Sequence, residues 1–349
     1  MYSIGCDLHS KRMQLCLVDD DPAHEGYPLP EEAILLEDNI PATREALATW
    51  IGEAARVAPG PKVLAVETTS NWEWFVDTAA LLVEKVLLVH ATRAKAIASA
   101  KIKTDKLDTR GLAWMTKNGL VPNVFIPPPK AREVRDVFRH RSYLMKRRTS
   151  FKNRVHSILK KEGVRHGYSD LFGPGGRAFL SELVISEARS FVLAETLDVI
   201  DGLTDKIEQA DAYIDQHEDR PAPMVSRLQT TPGFGHRLSM HASLEIVDIG
   251  RFQTQKDYVS YCGLAPGTHI SDETEKRQGL LPHGNRYLKW VYTHAAHRAA
   301  PHPYFRATHR HQVERNGKMI ARLTVARKLA ICHYHMLTKE EDFLNNRGA

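Results

Sequence analysis

Thirty consecutive residues, Arg132 to Lys161, contain neither glycine nor proline, and this run limits the fold more than any other feature. No turn chemistry interrupts it, so it predicts one continuous helix, roughly 45 Å long at the standard rise. Val134, Phe138, Arg141, Met145, Val155, Ile158 and Leu159 give it a broken apolar stripe. Most of the rest is basic. Between Lys130 and Arg165, thirteen Lys or Arg stand against three acids, a balance of +10 in a chain whose formal net charge is +6. A second block, Ser271 to Thr338, carries +8, so the remainder is acidic. Two separated cationic blocks suit a polyanion held at two places, although one basic block alone is equally a solvated face. A long basic helix can track a phosphate backbone.

The segments around that helix set the architecture. YSIGCDLH and MQLCLVDD read as short strands joined at HSKR as a hairpin. A helix (PATREALATWIGEAARV), a strand (PKVLAVETT), a helix (NWEWFVDTAALLVE), a strand (KVLLVH) and a helix from about Arg93 follow, which predicts a mixed sheet flanked by helices. Pro127 to Pro129 closes this region. Beyond the basic helix, GPGGR reads as a linker or turn. SEARSFVLAETLDVIDGLTDKIEQADAYIDQH reads as a heptad-like helix burying Phe191, Leu197, Ile200, Leu203 and Ile207, in a coiled coil or against a partner helix. TTPGFGHRL resembles a helix-hairpin-helix turn, a weak signal beside an ordinary αα-turn. A polar loop with Ser271 and a helix from near His283 complete the chain. The expected class is α/β plus α, in three segments: 1–128, 129–220 and 221–349.

No run of about 18 apolar residues and no signal-like N-terminus occurs, and Cys6, Cys16, Cys262 and Cys332 form no C-x-x-C pair. The reading is a cytoplasmic protein with buried thiols.

Four acids carry the chemical signal. Asp7 and Glu67 end apolar strands, where open α/β sheets place their sites. In KTDKLDTR, Asp105 and Asp108 are three apart, on one face if helical. Singly, each has an ordinary role as a turn residue, a helix-entry acid, or a solvated charge beside Lys101, Lys103, Lys106 and Arg110. Together, four converging carboxylates would repel and need a cation. Mg²⁺, or Mn²⁺ in its place, fits an all-carboxylate site, and two such ions can stabilise the attacking and leaving oxygens at a phosphate.

The order Asp7, Glu67, KTDKLDTR, RRTSFKNRVHSIL, PGFG and GLAPGTHIS…RQG…HGNRYL resembles the DEDD-type transposases of bacterial insertion sequences, the one-ten group, over about residues 3 to 300. The resemblance implies an N-terminal RuvC-like domain of the RNase H class, a coiled-coil linker and a C-terminal transposase domain. It implies Asp7, Glu67, Asp105 and Asp108 as metal ligands and Ser271 as the nucleophile, here followed by Asp272 where the family reads Ser-Gly. It further implies a recombinase directed by a structured bridge RNA, acting on donor and target DNA as a dimer that assembles into a tetramer. Arg139, Arg141, Arg147, Arg148, Lys152, Asn153, Arg154, Lys276, Arg277, Asn285 and Arg286 are the expected nucleic-acid contacts.

Three rivals remain at this level. IGCDLHSKRMQLCLVD also resembles the first phosphate strand pair of sugar kinases and actin-like ATPases, but the second Gly-rich phosphate loop those need does not occur. A RuvC-like Holliday-junction nuclease would use water and leave Ser271 idle. A non-enzymatic basic nucleic-acid binder would need none of the acids.

Overall fold

The hairpin read at the start of the chain is present. β1 (Tyr2–Leu8) and β2 (Arg12–Val18) pair antiparallel, with Leu8 opposite Met13. β3 (Ile34–Pro41) adds antiparallel to β2, and α1 (Arg44–Val57) follows, its first turn capped by the Thr43 hydroxyl, which accepts from the Ala46 amide. β4 (Lys62–Glu67) and β5 (Lys85–Val89) add parallel on the other side of β1, separated by α2 (Trp72–Ala79). After α3 (Asp105–Lys117), a two-residue strand β6 (Asn123–Val124) closes a mixed sheet of order β3-β2-β1-β4-β5-β6. The computed structural model describes residues 1–24, 26–90, 105–216, 222–271, 274–280 and 284–343, without the side chains of 105–107, 222, 268–271 and 274–279. The helix expected from Arg93 lies outside the described residues up to Asp105. The chain divides into two compact units, Met1–Pro127 and Pro128–Ala349.

Alternation along each strand gives the sheet two different faces. Ile4, Cys6, Leu8, Leu15, Leu17, Leu64 and Val66 pack with Leu47, Trp50 and Ile51 of α1 and Phe75 of α2. The opposite face carries Cys16, Val18, Ala65 and Val89, and packs with Leu112, Ala113 and Met115 of α3.

In the second unit, the glycine-free run forms α4 (Pro129–Lys161), 33 residues long. It starts at Pro129 because a proline at the first helical position has no amide bond to lose. The same chemistry overturns the linker reading of GPGGR: Gly173 caps α5 (Pro174–Ser181), with Pro174 in its first turn. α6 (Glu187–Gln216) buries Leu193, Thr196, Ile200, Ile207, Ala210 and Ile214, a heptad that includes the expected Ile200 and Ile207. Phe191 is instead 66% exposed, and Leu197 and Leu203 are half-buried. The partner of α6 is α4 of the same chain. Arg141 pairs with Asp211, Arg148 donates to Thr204 and Glu162 meets Arg189, so partners fall along α6 as residues rise along α4: the two run antiparallel.

The remaining elements are α7 (Ala222–Gln229), α8 (His236–Ile246), α9 (Gln255–Tyr261), the hairpin β7 (Pro266–Ser271) and β8 (Thr274–Leu280), α10 (Arg286–Ala299), and α11 (Pro303–Lys339), kinked at Gly317. α10 starts after the expected His283 because the Asn285 side chain caps it, accepting from the Tyr287 and Leu288 amides. A buried polar chain links this core: Tyr258 to Tyr292 at 2.6 Å, Tyr292 to His333 Nδ1 at 3.0 Å, and His333 Nε2 to Thr231 at 3.1 Å. Among the described residues, no helix is long and apolar enough to cross a membrane.

Candidate active site

Parallel pairing of β1 with β4 sets Cys6 beside Val66, so the next residues, Asp7 and Glu67, are neighbours at the carboxyl ends of adjacent strands. Strand alternation puts them on the face of Gly5 and Ala65, the face that α3 covers. Gly5 is what allows the helix so close. A Cβ there would lie 2.2 Å from the Thr109 carbonyl oxygen and 2.6 Å from the Ala113 amide nitrogen, so α3 crosses β1 backbone to backbone. Asp108 immediately precedes Thr109, whose carbonyl makes this approach. A glycine inside an apolar strand signals such an approach, and IGCD carried that signal.

Ion pairs fix the angle of α3 over the sheet. Arg110 holds Glu37 of β3 with both arms of its guanidinium, at 2.8 and 2.9 Å, and also reaches Glu31 at 2.6 Å. Its hydrogen bonds to Glu37 and then Glu31 raise its pKa further. Lys117 bonds Asp19 at 2.9 Å. Arg110, read locally as a counter-ion to its neighbouring aspartates, therefore serves acids more than seventy residues away in sequence.

The Asp7 side chain is 18% exposed and lies 3.3 Å from His9 Nε2. Asp108 is exposed, and the side chain of Asp105 lies outside the described residues. The structure thus brings Asp7 and Glu67 together by register and Asp108 to the same sheet face. Among the described residues, no three His, Cys, Asp or Glu side chains converge closely enough to hold a metal. The donor set is all oxygen, which suits a hard divalent cation.

In the second unit, Ser271 ends β7, paired with Thr274 across a two-residue connection. It stands at the tip of a hairpin, where a polar loop was expected. At the start of α10, the Asn285 side chain donates to Glu245 at 2.7 Å, and its backbone N–H donates to the Tyr261 carbonyl at 2.6 Å. Glu245 is fully buried and is held by both arms of Arg139, each at 2.8 Å. Burial pushes its carboxyl up, but the Arg139 and Asn285 bonds outweigh that, and the net shift is downward. His241, one turn earlier, is pushed down to about 4 by burial and is neutral at pH 7.

Several of the expected nucleic-acid contacts have partners within the chain. Arg139 and Arg141 direct their guanidinium groups to Glu245 and Asp211. Arg148 bonds Thr204, Lys152 lies 4.5 Å over the Phe172 ring and Arg286 bonds the Tyr287 hydroxyl. Arg147, exposed beside Tyr143, and exposed Asn153 and Arg154 keep outward positions. The side chains of Lys276 and Arg277 lie outside the described residues. In the PGFG turn, Gly233 at φ +86° presses on α10: a Cβ would lie 2.5 Å from the Ala295 carbonyl oxygen. Sequence reading missed Gly5, the Arg110–Glu37 pair and Glu245. A lone acid in the apolar run MHASLEI was the available trace of the last.

A mixed sheet of this order with acids at adjoining strand ends, followed by a mainly helical region, is compatible with the RNase H-like class. Residues 4–162 match a family described as "Transposase", the DEDD transposases of the IS110 type, and residues 225–310 match one described as "Transposase IS116/IS110/IS902 family". The chain is also similar to "Putative transposase y4qE" of Sinorhizobium fredii, 24% identical over 198 residues, which is 56% of this chain and 48% of that protein. It thus spans about half the length of this curated relative. In chain order, the two matched regions are thus similar to the DEDD and C-terminal domains of IS110-family transposases.

Proposed function

We propose that the protein is a DNA transposase that cuts and rejoins strands through Ser271, assisted by Asp7, Glu67, Asp105 and Asp108. The observation supporting this reading is the crossing at Gly5, where the helix that follows Asp108 lies on the sheet face carrying Asp7 and Glu67. In the step we infer, the Ser271 oxygen forms a bond to a DNA phosphorus and passes its proton to a carboxylate. The bond to the departing sugar oxygen breaks, and that oxygen takes up a proton, so the one passed to the carboxylate is balanced and the sugar leaves as a hydroxyl. The phosphodiester is kept as a serine ester, so a sugar hydroxyl of a second strand can reverse the step and rejoin. The four carboxylates would hold Mg²⁺, or Mn²⁺, which supplies Lewis-acid stabilisation of phosphate charge. Guidance by a bridge RNA and assembly of dimers into a tetramer belong to the same proposal and rest on the resemblance.

Two variants test it. Ser271→Ala abolishes both strand transfer and the covalent protein–DNA adduct, while Asp7→Asn lowers the rate by roughly a hundredfold or more, the scale of lost charge stabilisation at a phosphate. An adduct recovered from Ser271→Ala refutes the nucleophile. Cleavage that persists there without an adduct selects the water-using nuclease instead.

A further inference from the structure

Helix α4 presents Arg135 and Arg139 one turn apart. Arg139 is satisfied by Glu245, but Arg135, only 7% exposed, has no hydrogen bond or ion pair to any described residue, and its Nε is buried without an acceptor. Its electrostatic surroundings comprise Arg139, Glu245, Tyr261 and Asp136. The Arg251 guanidinium lies 4.4 Å from the Tyr261 ring. Glu245 is the buried carboxylate of this group, and Arg139 and Asn285 already bond it. A buried guanidinium without a carboxylate of its own is stabilised by an incoming anion.

An aromatic row continues from this place along α10. The Arg139 guanidinium lies 4.7 Å over Tyr287, and His241 contacts both Tyr287 and Trp290, at 5.9 and 6.0 Å. Trp290 is 37% exposed and stacks on His294 at 5.3 Å with 18° between the planes. Trp290, Thr293, His294, His297 and Arg322 line an open cavity of about 290 Å³. An exposed indole already stacked on one side, with a guanidinium at the rim, offers its other face to a planar ring.

We propose that this surface holds a nucleotide of an unpaired strand, with the phosphodiester at Arg135 beside Arg139 and the splayed base on Trp290. It rests on the transposase reading only in taking nucleic acid as the ligand. A duplex keeps its base faces stacked inside, whereas an unpaired strand can present one base to an aromatic platform and its phosphate to the neighbouring cation.

The test measures binding of the full-length chain to labelled deoxythymidine and uridine homo-oligomers and to a duplex of matched length. Trp290→Ala weakens single-strand binding about tenfold, the scale of one lost base–aromatic stack, and Trp290→Phe restores most of it. Arg135→Gln reduces the salt slope of the same binding by about one. Trp290 is the one tryptophan of the second unit, so its quenching is read as the difference between wild type and Trp290→Phe. The oligomer whose affinity falls on Trp290→Ala identifies RNA or DNA as the strand. Unchanged affinity for both oligomers overturns the proposal, as does an equal loss for the duplex. No bond is cut in this equilibrium, so failure of the Ser271 chemistry would be scored separately, by the strand-transfer assay.

Discussion

Gly5 and Gly233 do similar work in the two units against unlike neighbours. At Gly5 a strand admits a helix: α3 lies backbone to backbone on the sheet face that carries Asp7 and Glu67, the acids of the proposed site. At Gly233 a turn admits α10, and the consequence is architectural, because the PGFG backbone lies against the Ala295 carbonyl. The first unit aligns Asp7 and Glu67 through sheet register, which carries order along hydrogen-bonded strands. The second ties α4, α8 and the start of α10 together through a network of buried side chains running Asn285, Glu245 and Arg139. A register tolerates changes at many side chains, whereas a network depends on each member.

The largest way to sharpen this contrast is to add one methyl at each glycine. Gly233→Ala should cost about 4 kcal/mol, combining overpacking with a left-handed backbone. Gly5→Ala should cost about 3 kcal/mol but, unlike Gly233→Ala, remove strand transfer even under conditions where the chain stays folded. Denaturant melts and a strand-transfer assay on both variants check this; equal activity losses would break the comparison. An effect of the same size as that at Gly5 separates the expected and observed stripes of α6. Leu193→Ala should lose about 3 kcal/mol, while Phe191→Ser stays near zero by the same melt.

Acid should affect the second unit by a smaller amount still. His241 is lowered to about 4 and His333 to about 3, both by burial, from an ordinary 6.5. Each is neutral when folded and takes up a proton when unfolded, so its contribution is complete above about pH 6.5 and fades as pH falls toward 4 and 3. At pH 5.5 the loss is about 1 kcal/mol per histidine, and His333→Gln should remove part of that slope. A thermal scan from pH 7.5 to 5 that shows no such slope would argue against the buried neutral histidines.

Legibility followed the range of the forces involved. The strands and the end positions of Asp7 and Glu67 were readable because period-two alternation is local. The long helix α4 was readable from its lack of breakers. The start of the α6 stripe was not, since Phe191 falls on the helix face opposite Leu193 and Ile200, and only the packed α4 selects between those faces. The fates of Arg139 and Arg141 were hidden for the same reason. Their carboxylates are 106 and 70 residues away, and a cation's local sequence does not reveal a distant partner. The proline-led start of α5 was present in the sequence, but GPGGR reads as a turn when its glycines are given more weight than its proline.

The antiparallel course of α4 and α6 has a consequence for variation in length. The chain leaves from Val134 and Phe138 and comes back to Ile214 beside them, where Val225, Met240 and Leu244 also pack. Its far end is closed separately by Val155, Leu159, Leu171 and Leu193. An excursion whose two feet share one anchorage can be lengthened or shortened by matched heptads in both arms without moving the ground it stands on. Span is therefore an adjustable dimension of this molecule, set independently of the parts that carry its chemistry.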